Sequence, residues 1–262
     1  MDIEKAVTPE EMKGLEKRLI EAGIPSILLM ENAAAGIARA VSTENQRCPV
    51  YIFCGRGNNG GDGLASARHL AALGFDSRIA LLGTGSELKG DAKANLEMAV
   101  ALGIPILEIT EEAQLDSFCQ GMQEGAIVDA LLGTGLSKEV DGLYKTAIER
   151  MNSCGLPVYS ADIPSGIDGE TGRVMGAAVR AEATITFLCA KTGLLLYPGR
   201  EYAGRLIIKD LGARLAGTKF HREFIPRDAA FPFLPPRKPD ANKGSCGKLA
   251  IVAGSEGFAG AG

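Results

Sequence analysis

Short apolar runs alternate with longer amphipathic stretches along most of this chain, and that alternation constrains the fold more than any other feature. Val50–Cys54, Arg78–Leu82, Ile104–Leu107, Ala126–Leu131, Val158–Ala161, Ala183–Leu188 and Leu206–Ile208 read as strands. Leu64–Leu73, Gly90–Leu102, Glu111–Met122 and Tyr144–Cys154 read as helices between them, two of them closed by Gly74 and Gly103. Parallel strands buried on both faces are nearly continuous in apolar residues, and their crossovers are usually helices. The prediction is an α/β fold, a doubly wound Rossmann-like parallel sheet flanked by helices. An N-terminal helical extension precedes it. Thr8-Pro9-Glu10-Glu11 is a capping box with proline at the first helical position, and this helix runs to Ala22 before Gly23. A second helix is expected from Ser26, after Pro25, through Val41.

Three segments follow from this pass. Residues 1–217 suit one α/β domain. Residues 218–240 are expected to be a linker, because Pro226, Pro232, Pro235, Pro236 and Pro239 crowd it and no useful period runs through it. Residues 241–262 hold a strand-like Leu249–Ala253 and a glycine-rich loop, which cannot form a core alone and read as the truncated start of a second domain.

Composition excludes several classes. The chain is 46% hydrophobic and 23% charged over 262 residues, which rules out a disordered polymer. No apolar run approaches the roughly 18 residues of a membrane span. The net charge of −4 argues against a nucleic-acid partner. Six scattered cysteines, without paired spacing or nearby histidines, fit buried free thiols better than zinc or disulfides. The N-terminus carries Asp2, Glu4 and Lys5 with no apolar leader, so a cytoplasmic location is expected.

Three polar, glycine-rich loops stand at strand ends, where open parallel sheets bind ligands. The first, Gly55-Arg56-Gly57-Asn58-Asn59-Gly60, matches the phosphate-binding spacing G-x-G-x-x-G between a strand and a helix. It continues as Gly61-Asp62-Gly63, adding a carboxylate to two carboxamides. A tight turn with Asp62 as a helix cap is the bland reading, and the length of the polar run favours a binding loop. The next strand ends Leu81-Leu82-Gly83-Thr84, and its nearest acid, Asp76, lies at its start. A dehydrogenase would want a ribose-binding acid at that end. The second loop follows Asp129 and runs Gly133-Thr134-Gly135-Leu136-Ser137-Lys138-Glu139. The third is Asp162-Ile163-Pro164-Ser165-Gly166.

Gly57–Gly63, Val128–Gly135 and Asp162–Gly166 together resemble the NAD(P)H-hydrate epimerase family, also called the YjeF N-terminal domain, over residues 1–217. Lys243–Lys248 and Gly254–Ala261 resemble the opening of a hydrate dehydratase, which follows the epimerase in bifunctional proteins. The resemblance implies an isomerase that interconverts the R and S forms of NADH or NADPH hydrated at C6, as metabolite repair. It assigns substrate contacts to Asn58, Asn59, Gly60, Gly61 and Asp62, to Gly133, Thr134, Gly135, Leu136, Ser137, Lys138 and Glu139, to Asp162, and to Ala261 in the dehydratase-like segment. It implies a potassium ion on Asn59, Asp129 and Ser165, and a homodimer or higher homo-oligomer. Asp162 is the expected acid/base. Lys191 is expected to supply a second proton or hold phosphate, with a solvated surface lysine as the alternative. His69 and His221 are weaker candidates. A non-catalytic nucleotide-binding or scaffold module of the same fold competes with catalysis, and an NAD(P)-linked oxidoreductase competes more weakly. The presence of Asp62, Asp129, Asp162 and Ser165 favours catalysis.

Overall fold

In the computed structural model, which describes residues 4–45, 48–213 and 218–225, the apolar runs pair side by side into one sheet. The elements are β1 (Glu4–Val7), α1 (Pro9–Glu21), α2 (Ser26–Glu44), β2 (Pro49–Cys54), α3 (Asn58–Ala72), β3 (Asp76–Leu82), α4 (Gly90–Ala101) and β4 (Ile106–Ile109). They continue through α5 (Glu112–Gln120), β5 (Ala126–Ala130), α6 (Gly142–Ser153), β6 (Val158–Ala161), β7 (Ala183–Phe187) and β8 (Ala190–Lys191). Last come α7 (Gly199–Tyr202), β9 (Arg205–Lys209) and β10 (Arg222–Phe224).

The main sheet has the order β4-β3-β2-β5-β6-β7-β9, and every neighbouring pair is parallel. The chain winds outward from β2 through β3 and β4, then returns to pair β5 on the other side of β2. The strand order therefore reverses between β2 and β5, and the crevice at their carboxyl ends is where such sheets take ligands. The pleat divides the core. Val50, Ile52 and Cys54 pack with Ala33, Ile37 and Leu70 of α2 and α3. Tyr51 and Phe53 face the other way, onto Leu115, Ala147 and Ile148 of α5 and α6.

Local signals set the helix ends. Thr8 and Glu11 form the expected reciprocal cap, with Thr8 N donating to Glu11 Oε2 at 2.7 Å and Glu11 N to Thr8 Oγ1 at 3.2 Å. Among the described residues no helix is long and apolar enough to cross a membrane.

Two readings of the sequence change here. The helix expected from Leu64 begins six residues earlier, at Asn58, so much of the supposed loop is its first turn. Glycine disfavours a helix intrinsically, and tertiary packing overrides it. Gly61 lies against Met30, and Gly63 against Ala130 and Cys54, so closely that a Cβ on either would sit 2.6–2.7 Å from its nearest neighbour. Asp62 is thus inside the helix, and Gly57 is its N-cap.

The second change is a small sheet, β10-β1-β8, that sequence periodicity does not show. β1 runs antiparallel to β10 and parallel to β8, with Val7 opposite Lys191. β10 lies in the stretch expected to be irregular linker. The compact unit extends over Glu4–Phe224. The other residues of that stretch from 226 to 240, the strand-like Leu249–Ala253 and Ala261 lie outside the described residues.

Candidate active site

The three loops converge at the carboxyl ends of β2, β5 and β6 around a cleft of about 650 Å³. Asn58, Asn59 and Asp62 line it from the start of α3, Leu131–Asp141 from the second loop, and Asp162 from the third. Gly60 and Gly61 lie in the same helical turn but are buried behind it. The first hydrogen bond within the turn is Gly61 N to Gly57 O at 3.1 Å. The earlier amides therefore lack helical partners, as at any helix start.

Asp129 ties the second and third loops together. It is fully buried and takes four hydrogen bonds, from Ser160 Oγ (2.8 Å), Ser165 N (2.9 Å), Ser165 Oγ (2.5 Å) and Leu131 N (3.3 Å). Burial pushes its carboxyl above the ordinary range, and these bonds pull against that rise. Ser165 Oγ also accepts from Leu132 N at 2.9 Å. Asn59 sits beside this knot, its Cβ against Gly133. Both its side-chain Oδ1 and Nδ2 are buried without a hydrogen-bond partner among the described residues.

Lys191 is not a surface residue. It is completely buried, and its Nζ donates to Asp162 Oδ1, to Thr186 Oγ1 at 3.0 Å and to Phe187 O at 3.3 Å. Thr186 Oγ1 donates to the same Asp162 oxygen at 3.2 Å. Asp162 adopts a φ of +64°, a left-handed conformation uncommon outside glycine, and its N–H is held by Ile185 O at 2.7 Å. Such a conformation costs about 1 kcal/mol or more and persists where the surroundings impose it. Among the described residues Asp162 Oδ2 takes no hydrogen bond.

The sequence reading missed Glu16. It reaches the cleft from α1, on the spacing Met12, Leu15, Glu16, Leu19 that defines the buried face of that helix. A carboxylate inside an apolar stripe was the signal available. Tyr144 and Phe187 also line the cleft unforeseen. His69 pairs with Glu31 at 2.8 Å on the α2–α3 surface, and His221 is exposed beside β10, so neither faces the cleft.

Burial raises the Asp62 carboxyl well above its ordinary range, and the charges of Asp162 and Glu16 push the same way against Lys191. A raised carboxyl resists ionisation in the folded state. It therefore removes stability progressively as pH climbs above its unfolded value of about 3.9. Asp62→Asn lacks that penalty. The variant should melt above the parent at about pH 8, with the gap closing toward about pH 4. Equal melting temperatures at the higher pH in a thermal scan would contradict this.

The family model described as YjeF-related protein N-terminus matches residues 26–193 of this chain. The chain belongs to that family. The YjeF-related match spans all three loops and Lys191, and leaves Glu16 outside it. The bifunctional NAD(P)H-hydrate repair enzyme Nnr of Thermofilum pendens is 40% identical over 260 residues, 98% of this chain and 49% of that protein. The chain thus spans about half the length of the bifunctional relatives it matches. The NAD(P)H-hydrate epimerase of Limosilactobacillus fermentum is 35% identical over 212 residues, 79% of this chain and 97% of that protein. The crystal structure of the yeast protein ynu0 superposes with a TM-score of 0.68 at 23% identity, covering 94% of this chain and all of that one, which establishes the shared fold.

Proposed function

We propose that this chain interconverts the R and S forms of NADH or NADPH hydrated at C6 of the nicotinamide ring. The observation that carries the reading is a solvent-open cleft at the topological switch point whose lining includes a carboxylate, Asp162, that is paired with a completely buried cation, Lys191. The relative covered almost end to end by this chain bears the name of that epimerase.

The C6 carbon of the hydrate carries a hydroxyl and the ring nitrogen. Its configuration is lost either by opening the N1–C6 bond to an aldehyde or by losing the hydroxyl as water. Both routes begin with proton transfer at that hydroxyl. Asp162 is the acid/base in this reading: Lys191 and Thr186 hold Oδ1, which leaves Oδ2 to meet the substrate proton. The amides at the start of α3 and the second loop, Gly133 to Glu139, would cradle the pyrophosphate. Lys138 is exposed there and suited to meet it.

A potassium ion fits the residues present. Asn59 Oδ1 is buried without a partner among the described residues, which is costly unless something binds it. Asp129 and Ser165 add a carboxylate and a hydroxyl from the adjoining loops. These are oxygen donors suited to a hard cation. Bound there, the ion would tie the three loops together and offset the pyrophosphate charge.

An NAD(P)-linked oxidoreductase is the poorer reading. The acid nearest the end of β3 is Glu87, which packs beside Gly83, and not Asp76 at the strand's start, the acid named from the sequence. It accepts from Arg56 at 2.5 Å and from the Thr84 amide at 2.8 Å, so it is engaged in a cap and an ion pair rather than free for a ribose. The same reading carries a small-molecule substrate, no nucleic-acid partner, a homo-oligomer and a cytoplasmic location. Residues 241–262 would open a dehydratase-like domain, supported by the Thermofilum match extending over 98% of this chain.

Equilibration of R and S hydrated NADH, followed by chromatography, tests the reading. The chain should accelerate it in potassium buffer, less so in sodium, and Asp162→Ala should lose the acceleration. A folded chain that leaves the uncatalysed rate unchanged would leave only a binding module.

A further inference from the structure

The reaction needs a proton delivered as well as one removed, and the Asp162–Lys191 pair supplies only one such unit. A second pair, made of two carboxyls, shares the cleft. Glu16 projects from α1 and Asp62 from α3; both line the cavity that Asp162 lines, and both are half-buried. Neither carboxyl has a hydrogen-bond partner among the described residues, whereas Asp162 has two and Asp129 four. Two unpaired, part-buried carboxylates beside a third are not a structural device. Their burial and mutual repulsion oppose folding, and no hydrogen bond among the described residues offsets that cost.

We propose that Glu16 and Asp62 form a second proton-transfer unit, the acid that expels the C6 hydroxyl as water while Asp162 serves as the base. This deepens the epimerase reading and rests on it.

The electrostatics agree with the geometry. Burial raises the Glu16 carboxyl, and the Asp162 charge adds to that rise. Asp62 is raised by burial, by Asp162 and by Glu16 itself. Among the described residues Lys191 is the only cation acting against either, and it is engaged by Asp162. The other ionisable groups lining the cleft are Arg56, Lys138, Glu139, Asp141 and Tyr144. Arg56 is paired with Glu87, and Lys138 and Glu139 are exposed. On α1 itself Lys13 and Lys17 are exposed. Two carboxyls interacting in this way titrate as one unit that retains a proton when a lone carboxyl would have lost it.

The step balances. The acid O–H gives its proton to the C6 hydroxyl and the C6–O bond breaks. Water leaves, and the N1 lone pair forms the N1=C6 iminium. Water then adds to the other face, the iminium pair returns to N1, and Asp162 takes the surplus proton. Exchange with solvent through the open cleft restores both groups. Epimerisation by this route puts solvent oxygen on C6, whereas ring opening and closure keeps the original oxygen.

The test follows epimerisation of hydrated NADH in ¹⁸O-labelled water by mass spectrometry, with rates across pH, for the full chain and for Glu16→Gln, Glu16→Asp and Asp62→Asn. Label should enter C6 at the rate of epimerisation. Glu16→Gln and Asp62→Asn should lower kcat about 100-fold with KM within about twofold, and Glu16→Asp should recover part of the loss. Glu16→Gln should also move the alkaline limb of the pH profile to lower pH, because Asp62 loses a like charge that holds its proton. Epimerisation without label uptake would overturn the proposal. So would a Glu16→Gln variant with parental kcat, or with a parental pH profile merely scaled down. Infrared difference spectra of the parent and Glu16→Gln at neutral pH give a readout free of turnover. A protonated-carboxyl band diminished in the variant supports the shared proton even if the chain proves not to be an epimerase, and its absence from the parent sinks it.

Discussion

Lys191→Met is expected to lower turnover in the proposed epimerisation about 1000-fold while leaving KM near that of the parent. Methionine keeps much of the buried lysine stem and removes only the ammonium that Asp162 Oδ1 and Thr186 Oγ1 share. Asp162 would then lose the cation that orients it while still lining the cleft. The reverse change, Asp162→Asn, should abolish that proposed turnover and also destabilise the chain by about 3 kcal/mol. It strands an ammonium at a position with no solvent access, and breaking one side of a buried pair is costlier than deleting both. The double variant, Asp162→Asn with Lys191→Met, should recover much of that stability without recovering activity. Urea unfolding and the R/S equilibration assay separate the two effects. A Lys191→Met protein with parental turnover would make the pair a structural feature only.

Gly60→Ala should cost about 3 kcal/mol or more and remove nucleotide binding with it. A Cβ at residue 60 would lie 1.9 Å from the carbonyl oxygen of Gly55, and one at Gly55 would lie 1.9 Å from that of Leu131. No side-chain rotation relieves a clash with backbone, so α3 would have to lift from the end of β2. That movement would carry Asn59 and Asp62 out of the cleft. Gly57→Ala is the control. Gly57 has a φ of −95° and nothing within 4 Å of its would-be Cβ. Its replacement should cost no more than about 1 kcal/mol, the loss of a tolerated helix cap. If the two alanine variants unfold at the same urea concentration, close backbone approach is not what holds this turn.

Much of the lining of the cleft was legible beforehand, for a physical reason. Ligands gather beyond the carboxyl ends of parallel strands, and Asp129 and Asp162 end their strands in the primary sequence itself. The glycine clusters at 55–63 and 133–135 announced close approach and free amides. Lys191 was harder. It is polar, follows a strand, and by composition suits solvent as well as a core. Its burial depends on β1 pairing with a two-residue strand almost the whole domain away in sequence, Val7 against Lys191. A strand that short carries no period to read. Glu16 was hidden differently, because the stripe of Met12, Leu15 and Leu19 shows that a helix face is buried but not what that face meets.

Sequence alone determined the seven-stranded parallel sheet, its helices and the three loops, because strand alternation, caps and glycine breaks are local properties of a few consecutive residues. Only the tertiary structure decided that Asn58 to Asp62 is a helical turn, that Arg222–Phe224 return as β10 beside β1, and that Glu16 lines the same cleft as an Asp162 held by the buried Lys191. Each of those depends on which distant segments share space, and burial, charge and backbone clearance there are set by neighbours that no local pattern names.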